Sequence, residues 1–236
     1  MELFHNYREL YLISELGAKE VMAKCDRTGK RKTRGQKNAK KYDLGYYLVF
    51  TDTHATEKYY FEGLYDKLPE EIKNKLRVEV VSDIKTWKLV EECQNILNND
   101  SQYRKGWIVF DRDKVVNFDN IIYKANSQDI NVGWSNPCFE IWLYAYYGKT
   151  PEFKESTDCC TNFGRIYKEK TGKEYSKSDE NLYSIMTTSG NEEKAINHTK
   201  KRYEDFRKCG IVKPSEMTSC STVFQLVQEI REKVKK

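Results

Sequence analysis

Four short apolar runs, each leading into a stretch of helical spacing, constrain this chain more than anything else in it. "GYYLVFTD" (45–52), "KLRVEVVS" (75–82), "GWIVFDRD" (106–113) and "DINVGWS" (129–135) are strands by their β-branched and aromatic content. Between them, 57–68 is helical and ends before Pro69, a second helix covers about 86–98 with Trp87, Val90, Ile96 and Leu97 inward, and a third covers 118–127. Strands that are apolar on both faces need cover on both faces, and crossover helices provide it. The expected fold class is therefore α/β, a mostly parallel central sheet flanked by helices.

The flanks read differently. Residues 7–22 place Leu10, Ile13, Leu16 and Val21 near one face of an N-terminal helix, and 135–148 opens a helix with Asn136 as N-cap and Pro137 at its first position. Beyond Thr150 come helices and polar loops, with stops at Gly172 and Gly210 and a T-x-x-Q capping box at Thr222 and Gln225. Three regions follow: 1–43 as N-terminal helix and basic arm, 44–148 as α/β core, and 149–236 as a C-terminal helical extension packed on the core.

Composition excludes several function classes. No run approaches the roughly 18 apolar residues of a membrane span, and charges throughout 1–23 are unlike a secretory signal, so a cytoplasmic protein without membrane contact is expected. Seven cysteines without a C-x-x-C pair argue against a disulfide framework and a thiolate zinc site, and three histidines against a His-rich metal centre. Any metal would need oxygen ligands, which favours Mg2+ or Mn2+. Of the net charge of +5, the segment Lys24–Lys41 supplies nine Lys/Arg against Asp26, or +8, leaving −3 elsewhere. A one-signed arm with Lys30, Arg31, Lys32, Arg34 and Lys37 suits a phosphate grip on nucleic acid as well as it suits a solvated linker.

The acids gather where such a fold binds ligands, at the C-terminal ends of the strands. Asp52 ends the first strand, Asp111 and Asp113 end the third, Glu57 opens the first helix, and Glu140 lies near the start of the helix after the fourth strand. Strand alternation would put Asp111 and Asp113 on one side and Arg112 on the other, and two adjacent carboxylates repel unless a cation joins them. Asn136 suits a helix cap, with phosphate contact as a secondary use. Cys138 reads as a small buried residue, His54 as a surface residue, the aromatics of 134–147 as core, and Lys194, Lys200, Lys201 and Arg202 as a solvated face.

"VFTDTHATEKYYFEGL", "WIVFDRD", "SNPCFEIWL" and "SCSTVFQLV" resemble, in order and approximate spacing, the RloB-like proteins, which look like members of the Toprim-like superfamily; the resemblance covers about 30–232. It matches Thr56 and Glu57 to the family's Thr-Glu, Asp111 and Asp113 to its Asp-x-Asp, and Ser135 through Glu140 to its "SNPCFE" block. The family's Glu-Gly is Asp52-Thr53 here, which shortens the acid and adds a β-branched residue. The resemblance implies a Mg2+- or Mn2+-dependent nuclease in phage defence. Asp111 and Asp113 would hold metal, Asp52, Glu57 and Glu140 would complete the catalytic set, and a defence-system protein would be a further partner. A homo-oligomer is compatible with the sequence. Two rivals remain: a catalytically weak nucleic-acid-binding module, motivated by Asp52-Thr53 and the basic arm, and a D-x-D-x-V phosphatase with Asp111 as nucleophile.

Overall fold

The computed structural model describes residues 43–99, 105–113 and 115–235. The expected N-terminal helix, and the basic arm with Lys30, Arg31, Lys32, Arg34 and Lys37, lie outside the described residues.

Five strands form one sheet: β1 (Gly45–Thr51), β2 (Leu76–Val81), β3 (Lys105–Asp111), β4 (Asn131–Asn136) and β5 (Cys220–Ser221), in the spatial order β2-β1-β3-β4-β5. The first four pair in parallel, and β5 runs antiparallel on the edge of β4. This is the mostly parallel α/β sheet that the alternating pattern requires.

Helices α1 (Thr56–Asp66) and α2 (Glu70–Lys73) link β1 to β2, and α3 (Leu89–Asn99), entered through a 3-10 turn at Thr86–Lys88, links β2 to β3. Then α4 (Phe118–Ser127) links β3 to β4. After β4 come α5 (Glu140–Tyr144), α6 (Ser156–Thr171), α7 (Leu182–Ser189), α8 (Glu192–Lys208), and, beyond β5, α9 (Val223–Val234).

Alternation along the strands builds two cores. Tyr47, Val49, Trp107 and Val109 face Tyr60, Phe61 and Leu64 of α1, with side chains of α5, α6, α7 and α9 in the same cluster. Leu48, Phe50, Ile108 and Phe110 face Leu89, Val90 and Cys93 of α3 and Phe118, Ile122 and Ala125 of α4. Each β1 and β3 side chain is thus spent on one face or the other, which is why both strands read as unbroken apolar runs. Trp142, fully buried, and Trp134 and Tyr146, nearly so, are core residues as expected.

Four local readings are corrected. Asn136 does not cap a helix, because it is the last residue of β4, held opposite Cys220 of β5, and α5 begins at Glu140 after an uncapped turn. Thr222 precedes α9 without capping it, since its hydroxyl accepts from Trp134 N (3.0 Å) and donates to Val132 O (3.2 Å), satisfying β4 where β5 has ended. Trp87 does not point inward and is 65% exposed, because its turn precedes the amphipathic part of α3. Arg202 also departs from a solvated face, donating to Thr218 O (3.3 Å) and Thr150 O (3.1 Å).

Candidate active site

β1 and β3 are neighbours, yet the chain leaves β1 through α1 on one face and β3 through α4 on the other. Their C-terminal ends therefore bound the crevice where strand order reverses, the usual ligand site of an open parallel sheet. Four carboxylates meet there: the charges of Glu57, Glu140 and Asp52 all act on Asp111.

Asp111, the last residue of β3, continues the side of Trp107 and Val109 and so turns toward α1. Its carboxylate lies far above its ordinary range, first because of burial and then through Glu57, Glu140 and Asp52, while a hydrogen bond from the Phe139 backbone opposes the shift. Asp52, just past β1, accepts from the Thr86 hydroxyl at 2.7 Å. Burial raises its pKa to about 6 against that hydrogen bond, with a smaller push from Asp113. Glu57, 2% exposed in the first turn of α1, accepts from the Thr53 hydroxyl. Burial outweighs that hydrogen bond and, with the Asp52 charge, brings it to about 7.

Glu140 is held differently. Its side chain is fully buried, and Oε1 accepts from the Tyr175 hydroxyl and pairs with Lys177 Nζ, each at 3.0 Å. Burial works against its charge, but the Lys177 ammonium prevails and keeps the carboxyl below its ordinary range. Burial likewise opposes the charge of Lys177, and Glu140 outweighs it, holding the ammonium above its ordinary range.

Asp113 stands apart from this buried group. The strand ends at Asp111, so the expected strand alternation does not extend to Asp113, which lies exposed in the following turn with Oδ1 accepting from the Ser156 hydroxyl at 2.7 Å. It remains near enough for its charge to act on Asp52. Asn136 is 1% exposed; its Nδ2 donates to Pro214 O and Ser215 O at 3.2 Å each, and its Oδ1 accepts from Arg112 at 3.4 Å. Its amide ties β4 to the segment before β5. His54 is exposed, 3.4 Å from the Ser82 hydroxyl.

Asp52 Oδ1, Asp111 Oδ1 and Glu140 Oε2 are buried and have no hydrogen-bond partner. A buried acceptor left unmade costs about 1–3 kcal/mol, and more when charged, so three in one crevice call for a positive partner. A divalent cation with a preference for oxygen ligands fits this donor set. Sequence reasoning did not find Thr86, Tyr175 or Lys177, and it singled out Thr53 only as a β-branched residue in place of glycine, not as a hydrogen-bond donor to Glu57. Tyr175 and Lys177 lie in a polar loop some 35 residues beyond Glu140, with no local pattern to mark them.

A family model described as RloB-like protein matches residues 47–230. The chain belongs to the RloB-like family. No curated protein and no solved structure matches it. The matched region of this RloB-like chain begins within β1 and ends in α9, so it contains all of the sheet but Gly45 and Tyr46, and every acid of the crevice. Among the described residues, no helix is long and apolar enough to cross a membrane.

Proposed function

We propose that this RloB-like protein is a Mg2+- or Mn2+-dependent nuclease that hydrolyses phosphodiester bonds of DNA or RNA, within the Toprim-like group that the sequence resembles. The observation that carries this reading is the pair of partnerless buried oxygens of Asp52 and Asp111 at the strand-order reversal. Asp111 and Asp52 would hold the cation, with Asp113 reaching in from the rim. The cation would supply Lewis-acid stabilisation of the attacked phosphate and lower the pKa of water.

The protein's own groups set the rest. Glu57, with a pKa of about 7, suits a residue that takes a proton from water near neutrality, and the Thr53 hydroxyl fixes its orientation. Thr86 orients Asp52, and Tyr175 and Lys177 hold Glu140 in place. The Asp52-Thr53 pair that replaces the family's Glu-Gly thus places a hydroxyl on a catalytic acid. The proposed role in phage defence, with nucleic acid as substrate and a defence-system protein as further partner, is what the resemblance to the family implies.

The binding-module reading rests on the same replacement, since Asp52 reaches less far than a glutamate would. Labelled single- and double-stranded DNA and RNA, incubated with Mg2+ or Mn2+, separate the two readings. The expected result is metal-dependent cleavage by the wild type that disappears in Asp111→Ala/Asp113→Ala. Wild-type protein that binds through Lys24–Lys41 but never cuts would overturn the nuclease reading in favour of the binding module. Trapping of a phosphoaspartate with a phosphomonoester would favour the phosphatase instead.

A further inference from the structure

Beside Glu140 the chain brings together two thiols that the acidic crevice does not use. Cys138 lies just before α5 and Cys160 in the first turns of α6, 22 residues later. Their sulfurs are 4.0 Å apart, and both lie with a carboxylate oxygen of Glu140 in a group whose atoms are all within 4.8 Å of one another. We propose that Cys138, Cys160 and Glu140 form a second metal site, for a thiophilic divalent ion of the Zn2+ class, distinct in chemistry from the magnesium site.

Distance, charge and access each fit. Two sulfurs bound at about 2.3 Å to a tetrahedral ion stand roughly 3.8 Å apart, so the pair as found needs to close by only a few tenths of an ångström. Oε1 of Glu140 is taken by Tyr175 and Lys177, whereas Oε2 is buried without a partner and free to ligate. Two thiolates and a carboxylate carry −3, the ion +2 and Lys177 +1, so the assembly is neutral with the lysine included. In this arrangement Lys177 and Tyr175 are the outer partners that orient a ligand carboxylate. Cys138 is 2% exposed and Cys160 half-buried, which leaves an entry path from the α6 side and a fourth position for water.

The usual cysteine spacing does not announce such a site, because its ligands come from separate elements. Thiolate ligands select zinc over magnesium, so the two metals would not compete on equal terms even though Glu140 borders both sites. The site does not depend on the nuclease reading.

Co2+ titration of the reduced, metal-stripped protein is the test, read by the near-ultraviolet thiolate-to-cobalt absorption and by displacement with Zn2+. The expected result is one equivalent bound with that absorption. It should be lost in Cys138→Ser and weakened at least tenfold in Cys160→Ser, both checked for folding by circular dichroism. Asp111→Ala/Asp113→Ala and Cys209→Ser, which alters an exposed thiol outside the cluster, should retain it. No thiolate absorption in the wild type, or absorption unchanged in a folded Cys160→Ser protein, would overturn the proposal. So would a Cys138–Cys160 disulfide in freshly purified protein. Loss of nuclease activity in Asp111→Ala/Asp113→Ala with the cobalt absorption intact would show the two sites to be separate.

Discussion

Glu57 and Asp52 are acids that the fold makes reluctant to ionise, and stability therefore depends on pH in a direction opposite to that of an ordinary salt-bridged carboxylate. Their pKa values rise on folding from 4.5 and 3.8 to about 7 and about 6. Between those limits the folded protein binds more protons than the unfolded chain, so unfolding free energy falls as pH rises. The contribution is fully present below about pH 4 and is gone above about pH 7. Metal-free protein in EDTA is thus expected to lose Tm by several degrees between pH 5 and pH 7.5, at about 2–4 °C per kcal/mol for a chain of this size. Mg2+ should restore it at pH 7.5 and add little at pH 5, where protons already occupy the carboxylates. Thermal scans showing equal Mg2+ effects at both pH values would sink this account.

At the scale of elements, what holds the acids in place is close packing of α1. A Cβ at Gly63 would come within 2.7 Å of Tyr183 Cβ, so α1 and α7 approach as closely as they do only because position 63 has no side chain. Gly63→Ala should destabilise by roughly 1–3 kcal/mol despite the better helix propensity of alanine, since neither backbone can yield cheaply; an unchanged urea midpoint would refute it. The turn before α3 makes a different prediction. Trp87 is 65% exposed with Lys88 Nζ 5.2 Å from its ring, beside the Thr86 that holds Asp52. If the crevice is the nuclease site proposed above, an exposed tryptophan at its rim, flanked by lysines, is suited to stack on an unpaired base. Trp87→Ala should weaken single-stranded binding about tenfold by fluorescence anisotropy and leave duplex binding unchanged, within the roughly 1–3 kcal/mol of one stacked base. Equal losses for both substrates would mean that the residue acts otherwise.

How far the sequence discloses the molecule follows the same physics. α4 is legible at its observed bounds, Phe118–Ser127, because its apolar positions repeat with helical period, β1, β3 and β4 because both of their faces are largely buried, and the edge strand β2 because its buried Leu76 and Val78 alternate with half-exposed Arg77 and Glu79. β5 is two residues long and owes its existence to the edge of β4, so no local signal marks it; α7 is eight residues long, too short for its period to stand out. The crevice acids are legible through their place at strand ends. Their helpers are not, since Lys177 reaches Glu140 only through the path of the loop between α6 and α7. That pairing yields the last prediction. Glu140 is fully buried and Lys177 Nζ, on a side chain 56% exposed, is 3.0 Å from it. Lys177→Met leaves the carboxylate without its cation and should cost roughly 2 kcal/mol, less than for a wholly buried pair because half of the lysine is already in water. A divalent ion in the crevice can replace the missing charge, so Mg2+ should raise Tm more in Lys177→Met than in the wild type, after EDTA treatment of both. Identical increments would mean that Glu140 does not share the electrostatic field of the metal. The acid would then belong to the thiol side of α5 alone.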